Sequence, residues 1–360
     1  MVAKKKTPAP KQGKPDFGRK WGIDGNGRLD WHQHAAHGTD LASPSEGSAL
    51  QGSLQRHGPQ ERALQLPARA RRALEAGTQI KAVRPTSSDI LFVPAVFAFL
   101  GLPITGDQVP YIQRVTLSHL KISPNSAEPA VELPSGSLAF LTMISLTTVA
   151  IRQGSALVSY AAVLCELART TGAVDMLPES KRLSSMLSKI ADCTFSYDAF
   201  GHRFSGQIFR IERTETTAGD VGRDSRIGSI ALHPDFYAQL SARSVPLDRR
   251  AVAALSATPM ALRVYMWLTQ RICKQSIPRH TLVWKYLFTG LGAGYSGEHA
   301  HKNFKRAFLM SLIDVLTVYP WAVVYLYPYG VVLAPSGPSV SNKAAMASRA
   351  VPPDVSSIDS

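Results

Sequence analysis

The sequence predicts an α+β chain in which one order of elements, helix, helix, basic helix, then hairpin, is used twice behind a basic, disordered leader. Three observations predict it. Residues 1–85 are rich in Gly, Pro, Ser, His and basic side chains and show little periodicity. From Leu138 to Arg213 helical periods give way to alternating ones. The same order of patterns then returns between Asp248 and Pro335 without close sequence repetition.

Composition narrows the function classes. The chain has 360 residues, 45% of them hydrophobic, which suits two packed domains with some unfolded margin. Its formal charge is +14 and its pI about 9.8, so a polyanion is the expected partner and nucleic acid the leading one. Residues 1–85 hold 15 Lys and Arg against 7 Asp and Glu, so more than half of the excess charge lies there, as a solvated tail or a non-specific nucleic-acid tether. No apolar run reaches the roughly 20 residues that span a bilayer, so no membrane role is expected. Lys4, Lys5 and Lys6 are not followed by the apolar stretch of a signal peptide, and the three cysteines fit neither a disulfide framework nor a zinc pattern. A reducing cytoplasm is the expected compartment.

Order is predicted to begin near Ile90, where LFVPAVFAFLGLP suits a short buried helix ended by Gly101 and Pro103. Tyr111–Ile122 reads as a half-buried strand with Ile112, Val115, Leu117 and Leu120 as its apolar positions. A core helix over 138–151 and a second over 160–170 follow, the latter stopped by Gly172. A third helix over 179–191 carries Leu183, Met186, Leu187 and Ile190 as one stripe, leaving Lys181, Arg182, Ser185 and Lys189 on the other faces. Strands over 193–197 and 204–213 form the expected hairpin, with Arg203 near its tip at Gly201. A further strand over 226–232 and a short helix after Pro234 close the first unit. In the second unit short and long helices over 248–256 and 260–274 lead through 281–288 to a basic helix over 298–316, and strands over 319–327 and 331–335 finish it. This order of elements is that of the winged helix, so the predicted domains are a disordered basic tail over 1–88, winged-helix domains over 89–243 and 244–340, and a disordered C-terminal tail over 341–360.

In the second basic helix Phe304, Phe308, Ser311, Leu312 and Val315 mark the buried side, while Lys302, Lys305 and Arg306 cluster at i, i+3 and i+4. Such a cluster can read guanine edges in a major groove, contact flanking phosphates, or simply be solvated. The same alternatives hold for Lys181, Arg182, Ser185 and Lys189, and for Arg203, which would meet backbone or minor groove. Catalytic patterns are weak. The glycine-rich run 290–297 lacks the lysine of a phosphate-cradling loop, and His32, His34, His37, His299 and His301 have no downstream ligand set. No nucleophile stands in a recognisable motif, so no enzyme activity, cofactor or metal is expected. Tyr265, Trp267, Trp284, Phe288 and Trp321 sit in apolar runs and are expected in the core.

Val245–Asp248 (Val-Pro-Leu-Asp), Tyr265–Thr269 (Tyr-x-Trp-Leu-Thr), Val318–Pro320 (Val-Tyr-Pro) and Leu333–Ser336 (Leu-x-Pro-Ser) together resemble RepA-type plasmid replication initiators. The resemblance extends over about 89–340 through Leu-Pro-Ser-Gly at 133–136 and the DCTFSY strand; residues 1–88 lie outside it. Ahead of the first basic helix the family pattern would have Gly and Arg where this chain has Leu-Pro-Glu-Ser-Lys-Arg. The resemblance implies a protein that binds repeated sites in double-stranded plasmid origin DNA, assists opening of the neighbouring duplex, and recruits the host initiator and replicative helicase. It also implies a homodimer formed through the first unit. The other function consistent with the residues is a winged-helix transcriptional regulator or autorepressor without origin function.

Overall fold

Residues 67–107, 109–126, 132–213, 227–273 and 279–349 are described by the computed structural model. Helix α1 (Ala68–Ala82) leads to a 3-10 turn (Ser87–Asp89), strand β1 (Ile90–Pro94) and helix α2 (Ala95–Leu100). The apolar run from Ile90, expected as one helix, therefore divides at Pro94, whose φ of −56° and missing N–H suit the residue before a first helical turn. Among the described residues β1 is paired on one side only, antiparallel with β9 (Ser244–Asp248). On the other side its backbone is satisfied by helix α3 (Gly136–Gln153): Phe92 N–H donates to Thr148 Oγ1 at 2.8 Å, and Thr147 Oγ1 donates to Phe92 O at 2.7 Å.

Strands β2 (Tyr111–Val115) and β3 (Ser118–Pro124) replace the single strand expected over 111–122, turning at Thr116, whose φ is +51°. Tyr111, Gln113 and Val115 face inward, whereas Ile112 is 41% and Leu117 96% exposed. A period-two pattern is ambiguous by one residue, and docking of β2 against helix α9 (Trp284–Leu291) decides it: Gln113 Nε2 donates to Thr289 O. β2 and β3 continue through β5 (Cys193–Ala199) and β6 (His202–Gly206) in an antiparallel sheet ordered β2-β3-β5-β6.

Two units share one topology. In the first, α3 is followed by strand β4 (Leu157–Ser159), helix α4 (Tyr160–Thr171), helix α5 (Met176–Ala191) and the hairpin strands β7 (Phe209–Arg213) and β8 (Ile227–Leu232), with sheet order β4-β8-β7. Helix α6 (Pro234–Ala242) then leads to β9, and helix α7 (Arg249–Leu255) opens the second unit. There helix α8 (Pro259–Cys273), strand β10 (His280–Val283), α9, helix α10 (Ala300–Val318) and the strands β11 (Val324–Tyr327) and β12 (Gly330–Leu333) repeat the order, with sheet order β10-β12-β11. One contiguous apolar core runs through both units.

The first hairpin is not the one expected. β5 and β6 do pair around Gly201, but β5 joins β3, so Arg203 lies on the edge strand of the four-stranded sheet. The hairpin that completes the first unit is β7–β8, which pairs with β4 through Val158 and Ile230; its connection, 214–226, is outside the described residues. Two adjacent hairpins look alike locally, and only long-range pairing tells them apart.

A helix lies inside each of the two segments predicted to be disordered. α1 lies inside the segment read as disordered and packs on α7 and α10 through Ala73, Ala76, Gly77 and Ile80. Helix α11 (Asn342–Ser348) lies inside the predicted C-terminal tail: Ser341 caps it, and Ser348 Oγ donates to Ser87 O at 2.8 Å. Small residues gave neither helix an apolar period to read. Residues 1–66 and 350–360 are outside the described residues.

The motifs that carry the family resemblance do structural work. Asp248 caps α7 and receives Arg250 through Nε at 3.0 Å and Nη2 at 2.7 Å. Tyr265 Oη accepts from Asp248 N–H at 3.1 Å and lies 2.7 Å from Ser339 Oγ, fastening α7, α8 and the segment after β12 together. Ser336 Oγ accepts from Val323 N–H at 2.9 Å, and Tyr319 Oη donates to Gly337 O at 3.0 Å.

Candidate nucleic-acid interface

α10 is amphipathic as its spacing predicts. Phe304, Phe308, Ser311, Leu312 and Val315 are all buried, and Phe304 meets Phe288, Tyr295 and Phe308 with ring centroids 5.4–5.8 Å apart. Most of the glycine-rich run, 292–297, is the expected connection between two helices ahead of α10, while Gly290 and Leu291 end α9. Lys302, Asn303 and Arg306 stand exposed on the first two turns.

Lys305 departs from that group. Its Nζ lies 4.4 Å from the centre of the Trp284 ring, and partial burial lowers its pKa. Trp284 in turn donates Nε1–H to Pro328 O at 3.0 Å, while its backbone N–H reaches Tyr329 O at 3.0 Å. Lys305 thus rests on the joint between α9 and the β11–β12 turn. Asn303 takes its place on the exposed face. An Asn inside a helix forgoes local backbone hydrogen bonds it would make elsewhere, and this was the available sequence signal. An exposed Asn, Lys and Arg within two turns offer the donors and acceptors that pair with adenine, guanine and phosphate.

The hairpin beside α10 carries no cation between Tyr319 and Pro335. Tyr327 and Tyr329 stack at 5.2 Å, with Tyr329 54% exposed. Trp321 is 44% exposed and Trp284 and Phe288 only half-buried, so three of the five aromatics expected in the core line its margin; Tyr265 and Trp267 are buried. His301 stacks on Phe288 with centroids 3.7 Å apart.

In the first unit the stripe Leu183, Met186, Leu187 and Ile190 is buried on α5, which begins at Met176 behind its Asp175 cap, earlier than expected. Its cations are partly committed: Arg182 meets Glu179 at 3.0 Å and Lys189 meets Glu132 at 2.8 Å. Lys181 and Ser185 are exposed. Arg203 pairs with Asp198 at 3.0 Å, on a different sheet from the α5 face. The eight predicted residues therefore divide between two separate helical faces, from one of which Lys305 is drawn onto Trp284, plus Arg203 as an outlier.

α10 also carries a buried acid. Asp314 is met by Arg69 of α1 at 3.1 Å, yet burial outweighs that cation and pushes its carboxyl up to about 6 from 3.8. The folded protein holds this proton between about pH 4 and 6 while the unfolded chain has lost it, so stability from this group falls as pH rises through that window, by up to ~3 kcal/mol. Asp314→Asn should flatten the pH dependence. Urea midpoints at pH 4.5 and 7.5 check this, and an undiminished difference between them in the variant would refute it.

Fold and site define a mixed α+β protein of two like-ordered units, the second presenting an exposed cationic helix face. Residues 148–285, from the middle of α3 into α9, match the family described as plasmid encoded RepA protein, and over that stretch the chain is RepA-like. The match bears out the resemblance read in the sequence and stops before α10. No curated protein matches the chain. Two solved structures of RctB domains 2 and 3 are similar at 10% identity and a TM-score of 0.40; one, a selenomethionine derivative, covers 68% of this chain and the other 70%, each over 99% of its own length. No helix among the described residues is long and apolar enough to cross a membrane.

Proposed function

We propose that the protein is a plasmid replication initiator whose two units are winged helices and whose second unit reads duplex DNA through α10. The exposed Lys302–Asn303–Arg306 face carries this reading, because a helix fills the major groove and these side chains suit base edges and phosphates. The RepA match supports the replication role, and the net charge of +14 supplies the counterion-release affinity such a protein needs. Lys181 and Ser185 of α5 form a second, weaker contact, and Arg182 and Lys189 join it only by leaving Glu179 and Glu132. The work is done by binding energy: sites in origin DNA are occupied, the adjacent duplex opens, and the host initiator and helicase are recruited. Dimerisation through the first unit belongs to the same reading.

Footprinting of the purified protein on DNA flanking its own gene tests this. Protected direct repeats are expected; one operator over a promoter would favour a transcriptional regulator instead. Arg306→Ala should weaken binding to the protected site by about 1–3 kcal/mol, roughly tenfold or more, and relax preference at one base position. Lys305→Ala should cost less, because its ammonium sits on Trp284. Equal affinity of Arg306→Ala and the parent chain at physiological salt would remove α10 from the interface.

A further inference from the structure

We propose that α1 extends the DNA surface of the second unit, with Arg71 and Arg72 contacting phosphates at the edge of the groove that α10 occupies. The inference rests on the reading of α10 given above. α1 precedes the first unit in sequence yet packs on α7 and α10 of the second. Three features hold it there. Ala73, Ala76 and Gly77 form a small-residue face that lets the two backbones approach, and a Cβ on Gly77 would collide with the Thr317 carbonyl. Arg250 donates to Val83 O at 3.0 Å just beyond the C-terminal end of α1. Arg69 is bound to the buried Asp314 at 3.1 Å.

The Arg69–Asp314 pair sets the position. Asp314 lies eight residues beyond Arg306 on α10, about 12 Å along the axis at 1.5 Å per residue. That is about one major-groove width (~12 Å), which puts the start of α1 within reach of the phosphates bordering a groove read by Arg306. Arg69 is spent on Asp314, but Arg72 is exposed, Arg71 is part-exposed, and both lie within one turn of that anchor. From Ala68 to Arg84 the chain holds five basic side chains and one acid, Glu75, a charge suited to a polyanion. Phosphate contacts carry no sequence information, so this contact adds affinity without sequence preference.

The test uses the full chain and two duplexes, one carrying its protected site and one of random sequence, titrated over a range of salt. Arg71→Ala/Arg72→Ala should lower affinity for both duplexes by the same factor and reduce the log–log salt slope by about 1–2, at about 0.9 per phosphate. Arg71→Lys/Arg72→Lys should restore most of the slope. Arg84→Ala, which removes one positive charge beyond the far end of α1, should leave the slope unchanged. Circular dichroism confirms the fold of each variant. If Arg306→Ala weakens binding while the double alanine variant keeps the parent slope, the α1 contact is overturned and the reading of α10 stands. If both leave affinity unchanged, the reading of α10 falls and the α1 contact with it.

Discussion

Glu166→Gln should lower the thermal midpoint by about 6 °C or more, corresponding to a loss of ~3–5 kcal/mol. Glu166 is buried on α4 between two buried guanidinium groups: Arg152 of α3 at 3.0 Å, and Arg249 of α7, which donates Nη2–H to its other oxygen. Arg169 stands 3.7 Å away at the surface. The two arginines also donate to Ser88 O, Arg152 to Ile90 O at 2.7 Å and Arg249 to Thr170 Oγ1 at 2.8 Å. One carboxylate, through its two arginines, therefore joins α3 and α4 of the first unit to the turn before β1 and to the helix that opens the second. Burial lowers the Arg152 pKa even with Glu166 pulling it up, so the site tolerates its charge only because the carboxylate is present. Glutamine keeps the shape and removes that compensation. Adding Arg249→Met should recover part of the loss, since it removes one of the two stranded cations. Calorimetry of the single and double variants measures both effects; a single-variant shift under about 2 °C would refute the argument.

Gly77→Ala should destabilise the protein by ~1–3 kcal/mol, although helix propensity alone predicts a gain of up to ~1 kcal/mol for Ala in a helix interior. The reversal comes from the neighbour. The atom that a Cβ would meet is the backbone carbonyl oxygen of Thr317, which cannot rotate away as the end of a side chain could. α1 must lift from α10, and with it goes the Arg69 partner of the buried Asp314. A fall in the urea midpoint is expected, accompanied by a smaller salt slope for DNA if Arg71 and Arg72 lose their position. A rise in the midpoint would show that propensity wins and that α1 is held loosely.

The helices were legible wherever large apolar residues recur at helical spacing. α4 ends at Gly172 in the left-handed conformation, α5 buries the stripe from Leu183 to Ile190, and α10 buries Phe304, Phe308 and Val315 as read. α1 was invisible because Ala73, Ala76 and Gly77 make its buried face, and small residues give no hydrophobic period. The candidate site was legible as a helix and a charge, but not as a surface. Nothing local to Lys305 says that Trp284 lies beneath its ammonium, and nothing local to Lys189 names Glu132 as its partner.

By itself the sequence determined the repeated order of elements, the polyanion-seeking charge, and the resemblance to RepA-type initiators that the match over 148–285 bears out. These are local or summed properties: periodicity, caps, composition and short motifs. Tertiary structure decided which hairpin completes the first unit, which face of β2 turns inward, where α1 docks, and which cations remain exposed. Each of those depends on partners far along the chain, as Ile230 pairs with Val158 and Arg69 meets Asp314, and their free energy exists only once the chain has closed.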